Sequence, residues 1–184
     1  FSSGYDSNYN AFEESVSLMG SGKKLGYWVH GAWREGNDYE TGNGSIVQGD
    51  FMSREVRGKI GYQFSSASSA NISLGYQDQQ DIDYPGRLLN ADYFHTTNLS
   101  AEYNYQPEGS ALKSWIVKAY VNDVNHGMNN NGKPTAKADP NRMPPFALDV
   151  TVNADMRVKG YLTAATFQTN NYWTFEVGSD FYSA

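Results

Sequence analysis

Cysteine is absent from the 184 residues, which removes disulfide frameworks, thiolate metal sites and cysteine nucleophiles together. Basic residues are scarce: 14 Lys and Arg stand against 20 Asp and Glu, a formal net charge of -6. No basic stripe occurs, so a nucleic-acid partner is excluded, because phosphate binding needs clustered cations to release counterions. No apolar run approaches the ~20 residues of a membrane helix, and mean hydropathy is -0.63. That test is blind to a barrel, whose strands alternate lipid-facing apolar with lumen-facing polar residues. The chain opens Phe1-Ser2-Ser3-Gly4 with no Met and no charged-then-apolar leader, so a mature or excised segment is expected.

Aromatic residues are plentiful at 15%, with 14 Tyr and 4 Trp, and they fall into a period of two. Val16 and Leu18 alternate with Ser15 and Ser17; Leu25, Tyr27, Val29, Gly31 and Trp33 share one side of the next run. Val56, Gly58, Ile60, Tyr62 and Phe64 repeat the pattern, followed by Ile72, Leu74 and Tyr76, then Leu99, Ala101, Tyr103 and Tyr105. Trp115 to Val121, Tyr161 to Phe167 and Trp173 to Phe181 complete the set. Alternation of this kind marks strands with one apolar face.

Short breaks at Gly20 to Lys24, Ser65 to Ser69, Pro107 to Ser110 and Thr169-Asn170-Asn171 separate these strands by turns. Longer polar stretches stand between them, at Arg34 to Met52, Gln77 to Tyr93 and roughly Asn125 to Pro145. Outer-membrane barrels put short turns on one side and long loops on the other. Runs of about 9 to 13 residues also exceed the usual ~5 to 6 of globular strands. Tyr27, Trp33, Tyr103, Tyr105, Trp115 and Trp173 sit near strand ends, where rings meet lipid headgroups. The expected fold is therefore all-β, an antiparallel meander of about eight long strands that forms part of a larger transmembrane β-barrel.

Several segments carry a family resemblance: Gly4-Tyr5-Asp6-Ser7-Asn8-Tyr9-Asn10-Ala11, Gly26-Tyr27-Trp28-Val29-His30-Gly31, Arg34-Glu35-Gly36-Asn37-Asp38-Tyr39, Asp83-Tyr84-Pro85-Gly86-Arg87 and Val124-Asn125-His126-Gly127-Met128-Asn129-Asn130. Together they resemble the early barrel strands of TonB-dependent outer-membrane receptors. The resemblance implies a bacterial outer-membrane location, contact with lipid, a plug domain of the same receptor, coupling to the TonB system and import of a small-molecule or metal ligand. It implies residues 1–184 as a partial barrel domain, with the plug and the remaining strands outside them. The expected function is active import of a metal ion or chelate, copper or a siderophore-like complex. A soluble all-β carbohydrate-binding module and a passive porin-like channel are the alternatives.

The sharpest chemistry lies at His126-Gly127-Met128. Alternate positions of an extended segment send an imidazole and a thioether to one side, a pair suited to a soft ion such as Cu(I). The element is similar to the His-x-Met of copper-binding members of the receptor family. His126 and Met128 are therefore the expected metal residues, copper being cargo and not a resident cofactor. Met143, Met52 and Met156 are further candidates. His30 and His95 read as hydrogen-bonded structural residues. Asp78, Asp81, Asp83 and Asp92 lack the spacing of an EF-hand and read as solvated loop charge. Arg57, Lys59, Glu102, Lys118, Arg157, Lys159 and Glu176 are expected to face the lumen. No Gly-x-Ser-x-Gly elbow is present, Gly20-Ser21-Gly22-Lys23 lacks phosphate-loop spacing, and no catalytic residue is expected.

Overall fold

A computed structural model describes residues 1–169 and 172–184. Nine strands form one antiparallel meander: β1 (Ser2–Asp6), β2 (Ala11–Ser21), β3 (Leu25–Gly36), β6 (Phe51–Ser65), β7 (Ser68–Ile82), β8 (Asn90–Tyr105), β9 (Leu112–Asn129), β10 (Thr151–Gln168) and β11 (Thr174–Ser183). A separate pair, β4 (Tyr39–Glu40) and β5 (Ile46–Val47), stands inside the connection between β3 and β6. The eight strands read from the alternation are all present. β1 is the ninth, and its Ser-Ser-Gly-Tyr-Asp offers no apolar period to read. The turn expected at Thr169-Asn170-Asn171 includes two residues, Asn170 and Asn171, that lie outside the described ones.

Register divides every strand into the same two faces. Val29, Gly58, Leu74, Leu99 and Val121 follow one another as direct partners from β3 to β9, and Ala119, Tyr161 and Phe181 continue the face into β11. No second layer covers it: Leu18 is 63% exposed and Leu74 53%, and among the described residues only Ile82 and Ala91 are buried hydrophobics. A single sheet with its large aliphatic side chains outward contradicts a stacked module with a dry interior, where such residues would be enclosed. From Leu25 to Trp33 the apolar face runs about 26 Å along the strand, reduced to ~20 Å by barrel tilt, close to the ~25 Å lipid belt of a barrel.

The turn end of this face carries rings. Tyr103 meets Trp115 at 6.3 Å, Tyr62 meets Phe64 at 5.1 Å and Phe167 stacks on Phe175 at 5.3 Å. The Trp115 indole donates to the Thr163 hydroxyl at 2.9 Å, so its one polar atom is satisfied. No described helix is long and apolar enough to cross a membrane.

The opposite face is polar. Lys59, Ser73 and Ser100 are neighbours there, and Glu102 pairs with Lys118. Asn71 and Asn104 donate to Glu102 at 3.3 and 2.8 Å. Arg57, Lys59, Glu102, Lys118 and Glu176 stand on this face as expected. Arg157 and Lys159 do not: they share the parity of Tyr161 and pair with Asp123 and Val121 on the apolar side. Beyond Val121 that side turns polar, and Arg157 closes an ion pair with Asp123. These two cations mark the end of the apolar band.

The strands also run further than their apolar pattern. Connections at 22–24, 66–67 and 106–111 lie at one end, and 37–50, 83–89 and 130–150 at the other. The stretch Gln77 to Tyr93, read as a long loop, is mostly strand, because β7 and β8 extend as polar ladders. Asp78 meets His95 there at 3.0 Å. Asn125 donates to Asp155 and Asn129 to Asp92. Polar side chains satisfy each other across strands without an apolar period to betray them.

Candidate functional site

His126 and Met128 belong to β9, which continues to Asn129, and not to the long loop expected from roughly Asn125 to Pro145, whose first residues are strand. Two residues apart, they share the polar face. His126 lies opposite Phe94 on β8 and Ala154 on β10, with its ring stacked on Phe94 at 5.1 Å and 8°. Met128 lies opposite Ala91 and Val152. Between them Gly127 faces the other way beneath Tyr93. A Cβ there would meet the Tyr93 ring at 2.5 Å, so a side chain at 127 would displace that ring from over the strand.

The His126 Nδ1 is buried and has no hydrogen-bond partner among the described residues. A buried imidazole nitrogen without a partner costs about 1–3 kcal/mol, and it is an atom with donor capacity to spare. On one side each of the two pairs with a small residue, His126 with Ala154 and Met128 with Ala91. Met156, opposite Val124 and one pair removed from Ala154, is on the same face. Imidazole and thioether together suit a soft cation, while most hard ions prefer oxygen.

The other methionines are elsewhere. Met52 belongs to the apolar-face parity, where the Arg54 guanidinium donates to its sulfur at 3.3 Å. Met143 is 90% exposed in the connection 130–150.

His30 and His95 are hydrogen-bonded, as expected, but through partners that the sequence hides on neighbouring strands. His30 Nδ1 lies 2.8 Å from the Ser17 hydroxyl and Nε2 lies 3.4 Å from Glu55. Glu55 in turn accepts from Arg57 at 3.0 Å. A hydroxyl, an imidazole and a carboxylate in sequence resemble a charge-assisted nucleophile. The three come from adjacent strands, β2, β3 and β6, with their side chains on the polar face.

Of the four acids considered for an oxygen site, Asp78 is taken by His95 and by Gln80, Asp92 by Asn129, and Asp83 by Asn90. The structure instead gathers Asp38, Asp50 and Asp83 from two connections, with carboxylate oxygens within 4.8 Å of one another. Burial pushes the Asp50 carboxyl up to about 6, assisted by its hydrogen bond to Asp83 and by the charges of Asp83 and Asp38. A carboxyl raised above its unfolded value of 3.8 binds its proton more tightly in the folded chain. Its contribution therefore favours folding at low pH and is withdrawn as pH rises from about 4 to about 6. Replacing Asp50 by Asn should flatten that decline and leave the variant the more stable above pH 7. Solvent screening at this half-exposed position holds the gain to about 1 kcal/mol. Urea titrations at pH 4.5 and 7.5 read it; an equal change at both values counts against the carboxyl cluster.

No family model matches the chain, and no curated protein matches it. Among solved structures, it is similar to the copper transporter OprC, with a TM-score of 0.79 over 95% of this chain and 20% sequence identity. The match spans 26% of that transporter's chain. At this identity the likeness shows the fold: the nine-stranded sheet is built as a section of that protein is built.

The long connections are tied together by hydrogen bonds of their own. In 130–150, the buried Asn130 side chain donates to the Leu148 carbonyl at 2.8 Å and accepts from the Val150 N–H at 2.9 Å. Arg142 donates to five backbone carbonyls, those of Pro134, Thr135, Lys137, Pro144 and Phe146, at 2.7 to 3.3 Å. Lys133 reaches the neighbouring connection, where its ammonium donates to the Tyr84 carbonyl at 2.9 Å. The Asp83 N–H donates to the Asp50 carbonyl at 2.9 Å and ties 83–89 to 37–50. Three connections thus form one assembly, which no periodicity announces.

Proposed function

We propose that this chain forms part of the wall and outer connections of a bacterial outer-membrane importer of the TonB-dependent type, whose cargo is a metal ion or chelate, copper or a siderophore-like complex. One observation carries the reading: a continuous apolar face, uncovered and edged with rings at the turn end, lies back to back with a polar face. Lipid on one side and a plug or water on the other satisfy both. The likeness to a copper transporter adds support. β1 and β11 are the sheet's edges, and the remaining strands of a larger barrel pair with them and close the wall. The plug rests against the polar face, and TonB acts through the plug. The chain binds and conducts cargo and is not an enzyme.

Within this reading, His126 and Met128 offer Cu(I) an imidazole nitrogen and a thioether sulfur from one face of β9. Competition for Cu(I) against a chromophoric chelator, with the full chain folded in detergent, tests the pair. His126→Leu and Met128→Leu should each weaken Cu(I) binding at least tenfold, while Met52→Leu, altering a sulfur on the other face, leaves it unchanged. Equal affinity in all four proteins removes the metal assignment and leaves the barrel reading in place.

A further inference from the structure

At the junction of the three long connections lies a cavity of about 620 Å³, within the ~300–1,000 Å³ typical of small-molecule sites. Its walls are apolar: Ile46, Val47, Pro85, Leu88 and Pro134 contribute. Ile46 and Leu88 are 74% and 73% exposed, so large aliphatic groups stand in solvent around the opening. Two cations line the same space, Arg87 and Lys133. Among the described residues neither forms an ion pair. The Arg87 side chain has no hydrogen-bond partner there either, and the Lys133 ammonium has one, the neutral Tyr84 carbonyl.

Lys133 is 7% exposed. An ammonium carries three donors, and a buried one without a counter-ion is costly. Its position is nevertheless built: Gly132 adopts φ +78, a left-handed turn that an L side chain disfavours, and delivers Lys133 to the cavity. Across the opening, Pro85 and Gly86 turn the chain so that Arg87 N–H donates to Tyr84 O at 3.1 Å. One carbonyl therefore holds both cationic residues in place, one through its side chain and the other through its backbone.

We propose that this cavity binds a small organic anion, one anionic headgroup carried on an apolar body. Arg87 and Lys133 take the headgroup and the aliphatic walls take the body. Charge-assisted hydrogen bonds to a guanidinium fork are short and directional, and the missing counter-ion of Lys133 is supplied by the ligand. A net charge of -6, with Asp38, Asp50 and Asp83 at the same junction, provides no long-range field to collect anions. Recognition consequently depends on contact within the cavity.

Calorimetric titration of the full chain in detergent with 2-naphthoate, 2-naphthyl phosphate and the uncharged 2-naphthamide tests this, with empty micelles as the blank. One or both anions should bind at least tenfold more tightly than the amide, and whichever is stronger identifies the headgroup as carboxylate or phosphate. Arg87→Gln should reduce the preference for charge severalfold, Lys133 remaining in the cavity; Arg87 is exposed and its side chain forms no hydrogen bond among the described residues, so this variant keeps the junction intact. Ile46→Asp should weaken all three ligands. Binding of the amide equal to that of both anions, or a preference unchanged in Arg87→Gln, overturns the proposal. Neither result bears on Cu(I), which is read from other residues.

Discussion

Arginine in place of Leu74 should cost the folded chain about 2–4 kcal/mol in a phospholipid bilayer, the penalty of a cation near the midplane of a barrel's lipid face. Leu74 sits mid-band, flanked by Gly58 and Leu99 and 53% exposed. Exposed in water, such a position would tolerate arginine within about 0.5 kcal/mol. The solvent on that side alone decides between the two results. Ser100→Arg supplies the internal control, because Ser100 faces the other way between Ser73 and Tyr120. It should cost well under 1 kcal/mol, apart from repulsion by the nearby Lys118. Folding into lipid vesicles, followed by urea titration and by the heat-dependent shift of the gel band, measures both. Equal costs at 74 and 100 mean that the two faces meet the same medium, and the barrel reading then fails.

How much of this could be read from residues alone depends on whether a feature repeats along the chain or is made between distant segments. Strands with an apolar face were legible because Leu25, Tyr27 and Val29 must recur every second residue to stay on one side. The polar extensions, from Gln77 to Ile82 and from Asn122 to Asn129, were not, because both faces carry hydrogen-bonding groups and no apolar period survives. β1 escaped for the same reason. The misplacement of Arg157 and Lys159 has a different cause: charge suggested the lumen, but parity with Tyr161 puts them outward, above the apolar band, where Asp123 neutralises Arg157.

The sites divide in the same manner. His126 and Met128 were legible as a local pair, since two positions on one strand share a face without help from any other segment. The Nδ1 atom buried beside Phe94 was not, because its surroundings are set by β8 and β10. The gathering of Asp38, Asp50 and Asp83 joins residues up to 45 positions apart, and Asp83 was considered with its sequence neighbours and not with those acids. Spacing rules detect ligands supplied by one loop; they are silent where several loops each supply one.

The connection 130–150 shows the extreme of that silence, because its acceptors are main-chain carbonyls that every residue possesses. Arg142 spans five of them, using a planar fork of five N–H donors. Replacing it with Met should lower the free energy of local opening by about 3 kcal/mol, given the ~1.5–3 kcal/mol of each charged hydrogen bond and their incomplete additivity. Amide exchange at Leu148, whose N–H donates to Thr135 at 2.9 Å, should accelerate about a hundredfold. Lys should rescue little, since three donors on one nitrogen cannot reach carbonyls spread from Pro134 to Phe146. None of these hydrogen bonds reaches the sheet, so heat-dependent migration of the folded band should stay as in the parent chain. Lysine at 142 with undiminished protection at Leu148 would show that positive charge, and not the guanidinium fork, organises the connection. With the fork lost, Pro134 should also lose its place in the wall of the anion cavity, and affinity for the more tightly bound of the two naphthyl anions should fall although neither Arg87 nor Lys133 has been touched.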